Sequence, residues 1–349
     1  MSLRVLYLYA GSRKKIYQAY LDGSGPDTEL LGLNYLCDYG IQADFFENRW
    51  TEFFRKISFH LTDLPVLFRL HRYDIIFSSS SPITLFLVKF LLRRKKPLWV
   101  AYNSYFSRLL KRNRGIFRWI IRKGLASADA IICQVMPQKE FLEAEGLDPK
   151  KLFHVPACID SVRYLHRPSG APVIPGRYVV SIGRDLGRDY ETLIEAVRGT
   201  DISLVIGALR RNLSQIKNIP SNVRVSWFPR ESIPILLHDA AFSVVPVHGD
   251  EKMMGADCSG QFSLLEAMAS GKAVITSTHV NNFIHGVDGM IVPPGDPVLL
   301  REAMTRLWNN PTEAKKMGEA AQKKAGTLFT NKRFAEGLVK VFSELTAKQ

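Results

Sequence analysis

The sequence predicts an α/β protein of two doubly wound halves followed by a C-terminal helical tail. Short apolar runs alternate with stretches of helical periodicity, which implies parallel sheets covered by helices on both faces. The alternation occurs twice, on either side of a segment rich in proline and glycine, where regular structure halts. With 349 residues at 46% hydrophobic, the chain can bury a large core, and its length favours two domains over one.

The elements follow in order. The first apolar run, residues 5–9, reads as a strand and not as a signal segment, because no longer hydrophobic core or cleavage pattern surrounds it. The loop of residues 22–28, with Gly23 and Gly25, precedes a helical stretch over 29–39. Strands are expected at 74–78 and 98–102, then one helix over 106–125. That helix would place Phe106, Leu109, Leu110, Phe117, Ile120 and Ile121 on one side. Arg108, Lys111, Arg112, Arg114, Arg118, Arg122 and Lys123 would cover much of the rest. A junction follows at Val155 to Asp160, and residues 167–176 carry the Pro and Gly of a hinge, giving domains 1–167 and 168–330. The second half has strands at 178–182, 203–207, 223–227, 242–247 and 273–276. From Pro297 onward the tail reads as successive helices with breaks at Gly318 and Gly326, ending in a helical segment, 331–349.

The net charge of +14 has an address. Between Arg49 and Lys123 stand seventeen Lys or Arg against three acids, Glu52, Asp63 and Asp74, and the rest of the chain is balanced. A positive field confined to one stretch points to an anionic partner surface. No run reaches the ~18 apolar residues of a membrane span. The four cysteines, Cys37, Cys133, Cys158 and Cys258, lack paired or metal-ligand spacing, which suits a reducing compartment and argues against a zinc site. His248, His279 and His285 stand singly in loops. No Gly-x-Gly-x-x-Gly follows any candidate strand, which disfavours a nicotinamide dehydrogenase.

Residues 257–296 hold the densest chemistry. The turn Ser259–Gly260 opens an apolar helix carrying one acid, Glu266, and Gly271 ends it before a buried strand. Such a turn lets a ligand approach the helix-start amides, which favour anions, while Glu266 about two turns along can accept hydrogen bonds from hydroxyls. Strand 178–182 ends in Gly183, Arg184 and, four residues on, Arg188. Ligands of open α/β sheets bind beyond the carboxyl ends of strands, and arginine's planar fork pairs two phosphate oxygens at once. The pattern suits a phosphorylated, hydroxyl-rich ligand. Its alternatives are an amphipathic core helix with a solvated Glu266 and a surface loop in which the arginines pair with Asp185 and Asp189.

The run Glu266-Ala-Met-Ala-Ser-Gly-Lys-Ala-Val-Ile275, with Asp288-Gly289 and Val292-Pro-Pro-Gly-Asp296 after it, resembles the retaining glycosyltransferases of family 4. Their GT-B fold has two facing Rossmann-like domains. The resemblance implies that Glu266 holds the ribose of a nucleotide-diphosphate sugar, with Ser259, Gly260 and Gln261 contributing mainly backbone amides. Arg184 and Arg188, with Gly183 before them, would hold the donor pyrophosphate in place of a metal, and no cofactor is implied. At the family's first acid, which touches the donor sugar, this chain has Cys258. A thiol cannot replace a carboxylate as acceptor, so Asp257 next door takes that part or the contact is absent. Gly23 and Gly25 resemble the family's glycine-rich loop between first strand and first helix, near acceptor and diphosphate. Asn103 stands where the family often has a His, and can hydrogen-bond a sugar hydroxyl without serving as a base. The loop 248–257 reads as a flap over the donor sugar or as a surface insertion.

The basic stretch resembles the membrane-facing region of family members that use lipid-linked acceptors. The resemblance thus implies a hexosyltransferase acting on a lipid-linked or glycan acceptor, cytoplasmic and peripheral to the inner face of an anionic membrane. Its last helix would cross back onto the first domain. A nucleotide-sugar 2-epimerase on the same architecture and a basic RNA-binding protein are the alternatives. RNA is the less favoured partner, since no recognisable nucleic-acid module is visible.

Overall fold

The computed structural model describes residues 2–47, 53, 56–57, 64–79, 82–249, 252, 255–277 and 283–347. The chain forms two compact units, Met1–Ala157 with Asn331–Gln349, and Cys158–Thr330.

In the first unit six parallel strands, β1 (Arg4–Leu8), β2 (Gln42–Phe45), β3 (Ile75–Ser78), β4 (Leu98–Tyr102), β5 (Ala130–Cys133) and β6 (Leu152–His154), lie in the order β2-β1-β3-β4-β5-β6. The central strands are buried along their whole length, as continuous apolar runs in a two-sided parallel sheet must be. On one face Leu6, Ile76, Trp99 and Ile131 pack with Phe106, Leu125 and Leu142. An aromatic file runs from Tyr7 through Phe77 and Tyr102 to Phe334, with centroids 4.6, 5.4 and 5.7 Å apart. Phe334 belongs to the final helix, Asn331–Ala347, which therefore completes the core of the unit that opens the sequence.

The second unit has β7 (Val179–Ile182), β8 (Leu204–Gly207), β9 (Val223–Ser226), β10 (Ser243–Val245), β11 (Val274–Thr276) and β12 (Gly289–Ile291), all parallel, in the order β12-β11-β10-β7-β8-β9. Its core gathers Leu193, Leu204, Phe242, Ile275, Met304 and Leu307. Strand order reverses between β10 and β7, so their carboxyl ends flank the crevice where open sheets of this kind receive ligands.

Several expectations need correction. The division falls at Ala157–Cys158, not at 167, because Ile159 bridges to Thr330 and Arg167 pairs with Asp239 at 2.6 Å, holding the 158–176 stretch in the second unit. The stretch 29–39 is two 3₁₀ segments, Thr28–Leu30 and Leu33–Tyr39, parted by left-handed Leu31 and Gly32. The single helix over 106–125 is two, Phe106–Arg112 and Gly115–Ser127, broken where Asn113 turns extended and Gly115 takes φ +57°. The break rephases the second piece: Phe117, expected inward, is 62% exposed. Gly318 and Gly326 interrupt nothing, for both lie inside the helix Pro311–Leu328. Gly318 instead permits close approach, since a Cβ there would stand 2.1 Å from the Gly271 carbonyl oxygen. Among the described residues no helix is long and apolar enough to cross a membrane.

Candidate functional site

β7 runs out at Gly183, and the loop beyond it leads into the helix Tyr190–Val197, capped by Asp189 through the Thr192 amide at 3.1 Å. Arg188 folds back beneath this loop and is only 3% exposed. Its Nη2 donates to Ser181 Oγ at 3.2 Å, and its guanidinium lies 5.7 Å from the Tyr190 ring centroid. Gly183 makes room for it, since a Cβ there would stand 2.8 Å from Arg188 Nε; a Cβ on Gly260 would instead meet Val245 at 2.8 Å and Val247 at 2.9 Å, with Nη1 at ordinary contact. Nε and Nη1 are buried without a hydrogen-bond partner among the described residues. Buried donors left unmatched are costly. Arg184, at the start of the loop, is exposed.

Neither neighbouring acid neutralises these arginines, so the ion-pair alternative fails. Asp189 caps its helix, and His248 Nδ1 lies 3.3 Å from it. Asp185 is a staple: it accepts from the Gly187 amide at 2.8 Å, the Ala256 amide at 3.2 Å and the Ser259 hydroxyl. It thereby ties the Arg184–Arg188 loop to the turn before the helix Gln261–Ala269. Ser259 has its hydroxyl committed to that tie, and its amide donates to the Ala256 carbonyl at 3.1 Å, as the Gln261 amide does to the Cys258 carbonyl at 3.1 Å, so the turn spends two of the amides expected to meet a ligand. Gly260 is the N-cap at φ +82°, and no side chain caps the helix. Gln261 and Cys258 are buried and Asp257 is half-buried in the same turn.

Glu266 stands on the second turn of this helix. Its Oε1 accepts a hydrogen bond from the Tyr164 hydroxyl at 2.9 Å. Burial pushes the Glu266 carboxyl above its ordinary range, opposed by the Tyr164 bond and then by the charges of Arg230, Arg163 and Arg184. The last of these connects Glu266 electrostatically with the β7 loop. The sequence reading missed Tyr164, Arg163, Arg230 and the role of Asp185. Tyr164, Arg163 and Arg230 sit in no glycine-rich or acid-bearing motif, and Asp185 lay in view between Gly183 and Gly187; only the fold brings the first three to Glu266 and the last to Ser259.

Residues assigned in the first unit fare differently. The loop with Gly23 and Gly25 does not follow β1, because the helix Lys14–Leu21 intervenes and both glycine amides close its end on Tyr20 and Ala19 carbonyls. The turn after β1 instead holds Gly11 and Ser12, whose hydroxyl donates to Glu47. Asn103 is spent locally: its Nδ2 donates to the Ser79 carbonyl at 3.3 Å and its Oδ1 accepts from the Tyr105 amide at 2.9 Å. It pins the loop after β4.

The basic set also shrinks. Arg108 is buried, Lys111 sits 4.9 Å from the Phe141 ring centroid, Arg118 pairs with Glu145 at 2.6 Å, and Lys89 pairs with Asp129 at 2.7 Å. Arg112, Arg114 and Arg122 remain exposed, with Lys123 half-exposed. They are joined by Arg93 to Lys96 and by exposed Leu91, Leu92, Ile116, Phe117 and Trp119. Trp119 meets the Phe86 and Phe90 rings edge-on at 5.6 and 5.8 Å, which joins the two segments into one patch. Of the loop 248–257, residues 250, 251, 253 and 254 lie outside the described residues, as does His279. His285 Nδ1 accepts from the Ile291 amide.

These features define a class: α/β proteins of two doubly wound units, the second presenting arginines and a carboxylate beyond the carboxyl ends of its strands. Known proteins narrow it. The model of Glycosyltransferase Family 4 matches residues 23–163, and that of Glycosyl transferases group 1 matches residues 183–310. D-rhamnosyltransferase WbpZ of Pseudomonas aeruginosa is 33% identical over 153 residues, which cover 40% of this chain and 37% of that protein's length. Sucrose-phosphate synthase of Thermosynechococcus elongatus shares the fold at TM-score 0.72 and 16% identity over all of both chains. HepE of Anabaena, solved with UDP and glucose, does so at TM-score 0.67 and 15% identity over 98% of this chain and 100% of its own. Both units thus carry glycosyltransferase domains of the family 4 kind, on the GT-B fold.

Proposed function

We propose that this chain moves a hexosyl unit from a nucleoside-diphosphate sugar to an acceptor hydroxyl, with retention at the anomeric carbon. The observation that carries the reading is the buried guanidinium of Arg188, packed against Gly183 with Nε and Nη1 unmatched. A departing diphosphate supplies the missing acceptors, and Arg184 adds a second positive group. Together they stabilise the charge that develops on the leaving group, as preorganised donors do, and serve where a divalent cation otherwise would. Glu266 accepts from the donor ribose, and the helix-start amides behind Gly260 face the phosphates.

In the transfer the bond between anomeric carbon and phosphate oxygen breaks and the diphosphate leaves with the electron pair. The acceptor oxygen bonds to the same face of that carbon, and its proton passes to the departing phosphate. Cys258 at the first-acid place gives no carboxylate nucleophile, which supports attack by the acceptor itself. The nucleotide donor also accords with the UDP-glucose bound in HepE.

The acceptor is a lipid-linked glycan met at an anionic membrane surface. What supports this is the patch of Leu91, Leu92, Ile116, Phe117 and Trp119 among Arg93, Arg94, Lys95, Lys96, Arg112, Arg114 and Arg122. Each such charge is worth about 1 kcal/mol near an anionic leaflet, and aromatic side chains favour the interface.

The test is thermal unfolding with ADP, CDP, GDP and UDP and their sugars, since a ligand at 100 times its Kd stabilises the native state by about 2.7 kcal/mol. At least one diphosphate should raise the Tm, and its sugar should be consumed faster with a membrane extract present. No shift with any of them would refute the donor site.

A further inference from the structure

Tyr164 has no role in the reading above, yet it is the described hydrogen-bond partner of the central carboxylate. It lies on the short helix Ser161–Leu165, and its hydroxyl reaches Glu266 Oε1 at 2.9 Å. The contact is built. The short helix packs on both the Gln261–Ala269 and Pro311–Leu328 helices. Gln322 Nε2 donates to the Leu165 carbonyl at 3.1 Å and to the Ala269 carbonyl at 2.9 Å, fastening the ends of the two partners' helices together. His238 Nε2 meets the Tyr164 carbonyl at 2.9 Å.

Burial, reinforced by the Glu266 charge, holds the Tyr164 phenol far above its ordinary range, so it stays a neutral donor. Glu266 has two carboxylate oxygens and about four acceptor positions. A side chain of three rotatable bonds gains a fixed aim when one oxygen is anchored, and its partner then need not bear the ordering cost. We infer that Tyr164 is a positioning residue: its hydroxyl anchors one oxygen of Glu266 and so aims the carboxylate at the ribose hydroxyls of the donor nucleotide. The inference rests on Glu266 being the ribose acceptor.

Affinities of ADP, CDP, GDP and UDP, and of the 2′,3′-dideoxy form of the tightest binder, test it in the full chain and in Tyr164→Phe, Glu266→Gln and the double variant. Tyr164→Phe should weaken the ribonucleotide about three- to tenfold and leave the dideoxynucleotide, which offers Glu266 no hydroxyl, unchanged. The double variant should bind no worse than Glu266→Gln alone. The charged and titratable groups facing Glu266 are Tyr164, Arg230, Arg163 and Arg184. Removing the phenol removes one influence that lowers the Glu266 pKa, so the acid limb of ribonucleotide affinity should move to higher pH. Tyr164→Met replaces the phenylalanine variant if that chain does not fold.

Equal losses for ribo- and dideoxynucleotide in the tyrosine variant, or an unchanged ratio, would overturn the positioning role alone. A Glu266→Gln chain that keeps the native ribose preference, or no binding of any of the four diphosphates, would overturn the ribose reading beneath it.

Discussion

A single methyl group added at Gly183 tests whether the Arg188 cradle does the work assigned to it. In Gly183→Ala the new Cβ would stand 2.8 Å from Arg188 Nε, 3.0 Å from Cζ and 3.1 Å from Cδ. Gly183 lies outside the left-handed region, so alanine brings no backbone strain and the effect falls on the guanidinium. Ordinary contact begins near 3.4 Å, so the head must withdraw by about 0.6 Å. It is hemmed in by Ser181, Tyr190 and the Gly260 turn. Misplacing a catalytic group by about 1 Å costs about 10²-fold, so turnover should fall about ten- to hundredfold. Overpacking should cost about 1–3 kcal/mol of stability. Initial rates of donor consumption, read beside urea unfolding, separate the two effects. Gly207→Ala at the end of β8, where a Cβ meets Phe228 at 3.2 Å, is the control and should keep near-native turnover. Turnover within threefold of native in Gly183→Ala would refute the placement of Arg188 against the leaving group.

Arg184→Ala should lower turnover by about 10²–10³ while the Tm holds, because an exposed preorganised donor is lost without disturbing packing; near-normal rates would discard its role. Asp185→Ala strips acceptors from the Gly187 and Ala256 amides and from Ser259, and should cost about 1–3 kcal/mol in urea unfolding together with a raised donor KM. The Arg167 hydrogen bond holds Asp239 below the usual carboxylate range. The stability it contributes is present above the unfolded-state pKa and lost as pH falls through the lower folded value. Plots of Tm against pH for native and Arg167→Ala chains should therefore differ at pH 7 and converge in strong acid. Phe117→Ser with Trp119→Ser should weaken cosedimentation with phosphatidylglycerol vesicles at least about tenfold, with donor affinity unchanged; equal binding would remove the membrane assignment from this patch.

The fold was legible where the chain buries both faces of a strand, with the exception of β5, Ala130–Cys133, a fully buried run of four residues that escaped. Residues 98–102, and 178–182 apart from Ser181, are apolar runs and became β4 and β7 within a residue. β2, at Gln42–Phe45, escaped because an edge strand with one open face carries no such run. β6 and β12 have three residues each, too few for periodicity. The stretch 29–39 misled for a different reason. Its apolar spacing is helical, yet a Cβ on Gly32 would stand 3.1 Å from the Ala335 backbone and Cβ, so the path there answers to a segment three hundred residues away in sequence. In the site, Arg184, Arg188 and Glu266 could be read because each adjoins a glycine turn or a long motif. Tyr164 could not, since its meaning depends on a carboxylate 102 positions later. Asp185 was visible, and was weighed as a counter-ion when it is a tie between loops.

The return of Asn331–Ala347 to the first unit sets an order on birth. Residues 158–330 form a contiguous unit and can close once they have left the ribosome. The opening segment must wait, for Phe334, Leu338, Val341 and Phe342 fill its interior and Asn331 bonds to its Asp27. The half synthesised first is thus the last to become complete, and a nascent chain halted before residue 331 carries a finished second half beside a first half that still lacks part of its interior.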